Sequence, residues 1–412
     1  MRVLVTTCPA VGHLLPLLPL AREAAAQGHD VRVAAGRAIL PIAERAGFRT
    51  VTVGPDSLRD VARAIPTLAG LTGRRRAVVM AREGFAGSIA RTVTADLLAA
   101  LESGSWRPDL IVREDMEVGS WIVAERLGIP HATVQVTAWR PPVRRLLAEA
   151  VEPLRIAHGL APDATERMLG SVFFSTRPAS LHDPAAPLPE VTVELRPIAD
   201  DRDGAPAEDA ADAVDGSDPF TALAGSTSAT RVIITLGTVN ADQHALLRTL
   251  IAGAVAAGAK VVVGLGSDPA DFGDVPGNVV LRRYVPMSTL LPRADMIAFH
   301  GGSGTLTAAL AAARPMLITP IAADQLDNAE RAVAAGVARS LTLDALTPAA
   351  VAESIEGLRS DASYRARAAV VAEEIAAMPG PDAAVVRLAS IVAAAGKPAP
   401  DPASRDGQEE RT

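Results

Sequence analysis

The segment Ala298-Phe299-His300-Gly301-Gly302-Ser303-Gly304-Thr305 joins an apolar, strand-like run to the helical pattern Leu306 to Ala313. Glycines let a backbone approach a ligand closely, and the first amides of a helix lack intrahelical partners. The turn therefore aims unsatisfied N–H donors and a positive dipole end at whatever lies before it. A phosphate is the natural guest; a plain tight turn, with His300 as a cap or core residue, is the competing reading. Asp324 and Gln325 follow the next apolar run and open another helical pattern. Side by side they offer acceptors and donors suited to a polyhydroxylated ligand, although Asp324 could equally be an ordinary helix cap. Near the other end of the chain, His13 follows Gly12 at the first strand-to-helix turn. A neutral imidazole near pH 7 can take a proton from an attacking hydroxyl. Such a base needs a carboxylate on its other nitrogen. Glu114 and Asp115, at the end of the strand-like Asp109 to Val112, both offer one, and both could also be plain surface acids.

The elements that must position these groups alternate. Apolar, β-rich runs at Arg2 to Thr6, Asp30 to Ala34, Arg49 to Val53, Asp109 to Val112 and His131 to Val134 are separated by helical patterns at His13 to Gln27, Arg37 to Ala46, Ala77 to Leu101 and Val118 to Leu127. This is the signature of buried parallel strands with helical crossovers. The alternation resumes with strands at Arg231 to Thr235, Lys260 to Val263, Met296 to Phe299 and Met316 to Ile318, and ends in helix from Pro348 to Ala395. Between the halves, Asp200 to Pro219 holds eight acidic residues against one basic, Arg202, and reads as a solvated connector. The expected organisation is a Rossmann-like domain at 1–199, an acidic linker at 200–229, a second Rossmann-like domain at 230–395 and a disordered tail at 396–412. Two such domains make a cleft beyond the carboxyl ends of their strands.

Composition narrows the function classes. Hydrophobic residues are 49% of the 412 against 21% charged, which excludes a disordered chain, and 3% aromatics leave aliphatic side chains to fill the core. A net charge of −7 provides no cationic field to gather nucleic acid or anionic lipid. The single cysteine, Cys8, rules out an internal disulfide framework and a cysteine-based zinc site. Pro9, Gly12, Pro16 and Pro19 interrupt the apolar amino terminus, so it does not read as a signal peptide, and no membrane span is expected; the reading is a cytoplasmic, soluble protein. His29, His131, His158, His182 and His244 lack metal-ligand spacing and read as structural. Met80, Phe85, Met116, Trp121, Trp139 and Phe173 are apolar candidates for an acceptor pocket or, equally, for core.

The stretch from Arg283 to Gly336, with Tyr284-Val285-Pro286, the His300 to Thr305 turn, and Asp324-Gln325 with Asn328, resembles the donor-binding signature of family 1 glycosyltransferases with the GT-B fold. It is most similar to bacterial enzymes that glycosylate antibiotics and other secondary metabolites. Gly12-His13-Leu14-Leu15-Pro16 resembles the amino-terminal acceptor motif of the same family, so the resemblance spans nearly the whole chain. It implies an inverting transfer from a dTDP- or UDP-sugar to the hydroxyl of a small aglycone, with His13 as base and Glu114 ranked above Asp115 as its partner. It further implies that His300 contacts the donor diphosphate, that Gly302, Ser303, Gly304 and Thr305 hold it, that Thr238 lies near it, that Val285 meets the nucleobase, and that Asp324 and Gln325 bind sugar hydroxyls. No metal and no cofactor beyond the donor substrate are implied, and a homodimer is left open. Two departures stand out: Phe299 replaces a second histidine, and Ala313-Arg314-Pro315 replaces a Gly-Val-Pro turn. The alternatives from other classes are a nucleotide-sugar epimerase of the same fold and a non-catalytic sugar-nucleotide-binding partner.

Overall fold

The computed structural model describes residues 1–71, 73–162, 165–199, 201, 218–237 and 243–396. Two wholly parallel sheets form, one in each half. The first orders its strands β3-β2-β1-β4-β5-β6-β7, with β1 (Arg2–Thr6), β2 (Asp30–Ala35), β3 (Arg49–Thr52), β4 (Leu110–Glu114), β5 (His131–Val134), β6 (Phe173–Ser175) and β7 (Thr192–Glu194). The second runs β10-β9-β8-β11-β12-β13, with β8 (Arg231–Thr235), β9 (Lys260–Gly264), β10 (Val279–Arg282), β11 (Met296–Phe299), β12 (Met316–Ile318) and β13 (Ala338–Ser340). Central strands are aliphatic along their length because helices cover both faces; β4, β9 and β11 are buried throughout.

Chain order reverses between β1 and β4 in one sheet and between β8 and β11 in the other. At such switch points the crossovers leave in opposite directions and a crevice opens beyond the strand ends. His13 follows β1, Glu114 ends β4, Thr235 ends β8 and His300 follows β11. Strand order alone thus brings His13, Glu114 and His300, singled out above, to two crevices.

Each strand expected from the sequence forms. Four further strands, β6, β7, β10 and β13, are only three or four residues long, too short to display a period. The pattern at His13 to Gln27 becomes a helix at Val11–Leu14, a 3₁₀ turn at Leu15–Leu17 and a helix at Leu18–Ala26, because Pro16 and Pro19 remove donors within the run. The pattern at Ala77 to Leu101 is similarly split: helix Gly73–Val79, a π-helical stretch Met80–Ile89, then helix Ala90–Ser103.

The domain limits differ from expectation at three places. Helix Pro381–Ala395 returns to the first lobe, where Ala384, Val385, Leu388 and Ile391 join a core with Leu14, Leu17 and Leu20; the second lobe is therefore not the whole of 230–395. Most of the acidic connector lies outside the described residues, but Asp201 is not a solvated charge. Its carboxylate accepts from the Met287 amide at 2.5 Å and the Ser288 hydroxyl at 2.5 Å, capping helix Met287–Leu290, and burial pushes its pKa up. Phe220, within the expected linker, is buried in the core of the second lobe. The tail from 397 onward lies outside the described residues. The apolar stretch 362–395 is long enough by composition to cross a membrane, but it is two helices, Ala362–Ala377 and Pro381–Ala395, separated by Met378–Gly380. Each is shorter than the roughly 20 residues a span requires.

Candidate active site

A single cavity runs between the lobes and is lined from the first by Gly12, His13, Gln135, Thr137 and Arg177, among others. From the second lobe come Thr235, Gly237, Val285, His300, Gly302, Ser303, Gly304, Thr305 and Asp324. Seven of the sequence-derived candidates, then, share one space with the base; Glu114 stands directly behind His13.

On the first lobe, His13 Nδ1 lies 3.1 Å from Glu114 Oε1. The Glu114 carboxylate is fully buried and also accepts from the Cys8 amide at 3.2 Å and the Met116 amide at 2.6 Å. Burial alone would raise its pKa; His13 and these donors outweigh it and hold the group well below the usual carboxylate range. Burial alone would depress the His13 imidazole, yet Glu114, with Asp115 and Asp324 behind it, leaves the pKa above its ordinary value. With Nδ1 set against a carboxylate, Nε2 is left as the proton acceptor. The ring stacks on Phe85, centroids 6.0 Å apart, from the π-helical stretch; such stretches recur at functional sites. Glu117 fixes the loop that carries Glu114, accepting from the Gly119 amide at 2.7 Å and from Thr6 Oγ1, at the end of β1, at 2.9 Å.

Asp115 does not share this role. Its side chain pairs with buried Arg144 and accepts from the Val136 amide at 3.2 Å and Thr137 Oγ1 at 2.9 Å, bracing the loop after β5. Adjacent residues at a strand end point to opposite sides, and only Glu114 faces the imidazole. Met116, Trp121 and Phe173 are core, whereas Phe85 reaches the site through His13.

On the second lobe, helix Ser303–Ala311 begins at the cavity with Gly302 as its N-cap and no side-chain cap, so its first amides point into open space. Two glycines of the turn answer to its geometry. Gly301 has φ +91°, and a Cβ on Gly302 would come 2.6 Å from His300 Nε2. Gly237, φ +69°, closes over the same ring, where a Cβ would meet Cε1 at 2.8 Å. Burial lowers the His300 pKa to about 4 against weak opposition from Asp324, so the ring is neutral at pH 7 and can serve as an uncharged N–H donor. Phe299, standing where the family has a second histidine, is fully buried in the core with its ring edge-on to His300. The departure at Ala313 has a backbone consequence: φ is +56°, a conformation glycine adopts freely and alanine does not.

Asp324 Oδ2 accepts from Ser303 Oγ at 2.6 Å and, across the lobes, from the Ala138 amide at 2.8 Å, leaving Oδ1 for a ligand hydroxyl. Gln325 is placed differently from expectation. Its side-chain carbonyl accepts from the Ile321 and Ala322 amides at 2.7 and 2.8 Å, bracing the preceding turn, and the residue is buried. Only its NH₂ remains for a sugar. The Ser303 hydroxyl is likewise engaged within the protein, so its backbone amide is the group free for an anion. Thr238 lies outside the described residues.

Cys8, His13 and Glu114 bring ligand-type atoms within 4.8 Å of one another. The donor set does not favour a resident metal: both Glu114 oxygens are already engaged by protein donors, and burial beside acidic groups pushes the Cys8 thiol up, away from the thiolate a metal needs. Arg177, just after β6, is a charged cavity residue that sequence reasoning missed. It bonds to Ser303 and Asn328 across the lobes; its only signal was the Thr-Arg-Pro after a strand too short to see.

Comparison with known proteins agrees with this geometry. Family models described as the N-terminal and C-terminal domains of erythromycin biosynthesis protein CIII-like proteins match residues 23–163 and 248–391. The chain is 31% identical to L-demethylnoviosyl transferase of Streptomyces niveus, over 95% of this chain and 98% of that one. It is 30% identical to elloramycin glycosyltransferase ElmGT of Streptomyces olivaceus, over 94% and 97%. Among solved structures, the glycosyltransferase SnogD from Streptomyces nogalater superposes with a TM-score of 0.73 at 27% identity, covering 95% and 99% of the two chains. Spinosyn rhamnosyltransferase SpnG complexed with thymidine diphosphate gives 0.76 at 25%, covering 94% and 100%. The chain belongs to the bacterial secondary-metabolite branch of the family 1 glycosyltransferases, with the GT-B fold, and is a glycosyltransferase.

Proposed function

We propose that this enzyme transfers a sugar, with inversion, from a dTDP- or UDP-sugar to a hydroxyl of a small natural-product acceptor. The observation that carries the reading is the opposition, in one cavity, of the His13–Glu114 pair and the uncapped start of helix Ser303–Ala311. Nε2 of His13 takes the acceptor's hydroxyl proton as the oxygen attacks the anomeric carbon. The bond from that carbon to the phosphate oxygen breaks, and the nucleoside diphosphate leaves with the electron pair. Attack from the first lobe and departure into the second place nucleophile and leaving group on opposite faces of the sugar, which is inversion. Glu114 stabilises the imidazolium as it forms, the role of the buried carboxylate in a catalytic triad. Amides at Ser303 to Thr305 and the neutral His300 receive the charge developing on the diphosphate, preorganised donors being the usual source of such stabilisation.

Thymidine diphosphate bound to the spinosyn rhamnosyltransferase supports a dTDP-sugar over a UDP-sugar, and the relative named as an elloramycin glycosyltransferase supports a natural-product acceptor. The test is incubation of purified enzyme with a panel of dTDP- and UDP-sugars and a mixed aglycone library, followed by mass spectrometry and assay of released nucleoside diphosphate. Release coupled to a glycosyl mass shift is the expected result. An epimerised donor without transfer, or binding without turnover, would replace the reading by one of the alternative classes. EDTA treatment should leave turnover unchanged, since the leaving charge is met by protein donors.

A further inference from the structure

Arg177 is a buried cation in the cavity that the mechanism above does not use. It is 3% exposed, yet it lines the interlobe space. Both of its side-chain hydrogen bonds come from one nitrogen: Nη2 donates to Ser303 Oγ at 2.7 Å and to Asn328 Oδ1 at 2.5 Å. The same nitrogen is 3.9 Å from Asp324 Oδ2. A guanidinium carries five N–H donors in a rigid fork. Among the described residues, Nε and Nη1 meet no hydrogen-bond partner, so three donors of a buried cation remain beside the cavity. Burial lowers the pKa of this guanidinium, opposed by Asp324, Asp115 and Asp327.

The backbone that carries this side chain is also held in place. His182 Nε2 lies 3.1 Å from the Arg177 carbonyl oxygen and 3.4 Å from Ser175 Oγ, and Thr176 Oγ1 donates to the Gln135 carbonyl at 2.8 Å. Nε and Nη1 are not sealed within protein but open on the cavity, so a ligand there can take their donors without a further cost of burial. The group immediately across the Ser303 contact is the uncapped amino end of helix Ser303–Ala311, itself an anion-binding element. A planar guanidinium beside a helix start suits phosphate oxygens, which it can grip through two parallel N–H groups.

We propose that Arg177 is a catalytic residue supplied by the acceptor lobe, donating from Nε and Nη1 to the diphosphate of the nucleotide donor and stabilising it as it leaves. The inference rests on the nucleotide-sugar reading above and adds to it a cation from the lobe opposite the one that holds the nucleotide. Because Arg177 already touches Ser303 and Asn328, it also makes diphosphate binding sensitive to closure of the two lobes.

The test is calorimetric titration of wild type, Arg177→Gln and Arg177→Lys with thymidine, thymidine diphosphate, uridine and UDP, alongside melting temperatures. Loss of a charge-assisted bond predicts that Arg177→Gln weakens the diphosphate by about 10–100-fold while the matching nucleoside changes little. Arg177→Lys, which keeps the charge but not the fork, should fall between. If wild type prefers neither diphosphate over its nucleoside, the nucleotide-sugar reading itself fails, and this inference with it. If wild type shows that preference and both variants retain it, only the role of Arg177 is overturned. Equal weakening of nucleoside and diphosphate, together with a lowered melting temperature, would make the residue a staple between the lobes and likewise overturn the proposal.

Discussion

The two faces of the cleft reach function by different materials. The first lobe presents a side-chain pair, His13 and Glu114, whose effect depends on burial and on one 3.1 Å contact. The second presents mainly backbone: a glycine turn and the first amides of a helix, with His300 kept neutral by burial. A side-chain device concentrates its effect in one or two atoms and titrates. A backbone device spreads its effect over several N–H groups and is insensitive to pH. Mutations should therefore be severe and specific on one face and graded on the other.

The sharpest way to break this contrast is His13→Ala. Turnover should fall by about 10²–10⁴ while nucleoside diphosphate affinity, measured by calorimetry, stays close to wild type; a parallel loss of both would mean that the two faces are not separable. Next is the pH profile. The base must be neutral to act and its pKa is raised, so the acid limb of kcat should rise through a midpoint above the ordinary histidine value of 6.5. In Glu114→Gln the carboxylate that opposes burial is gone, so the limb should move to lower pH and the plateau should fall; a limb that stays put would detach Glu114 from the imidazole. Thr305→Val removes a hydroxyl that lines the cavity but keeps the amide, so it should weaken donor binding by no more than about tenfold without moving that limb. The smallest effect belongs to Ala313→Gly, which relieves the left-handed backbone at φ +56°. Thermal or denaturant unfolding should show a gain of about 0.5–1 kcal/mol, the alanine penalty less the added chain entropy of glycine, with kinetics unchanged.

Legibility from the sequence followed the same division. The glycine turn, Asp324 and the histidine after β1 are local motifs, readable because a tight turn or a helix start dictates its residue types over a few positions. Arg177 and Glu117 are not motifs. Each acts through partners more than a hundred positions away, Ser303 for the first and Thr6 for the second. Gln325 and Asp115 were visible but misleading: one spends its carbonyl on its own turn and the other spends its carboxylate on Arg144. The helix Pro381–Ala395 was visible as a helix, but nothing along the chain announces that its apolar face covers the first lobe.

The amino-acid sequence by itself determined the alternation of aliphatic strands and helices, hence two parallel sheets, and placed the chemistry-bearing residues at strand ends. Tertiary structure decided which carboxylate meets His13, which donors stay unspent, and which lobe supplies each charge. Strand and turn preferences are set by neighbours a few residues apart, whereas the state of a buried polar group depends on whichever distant group folding brings within about 3 Å of it.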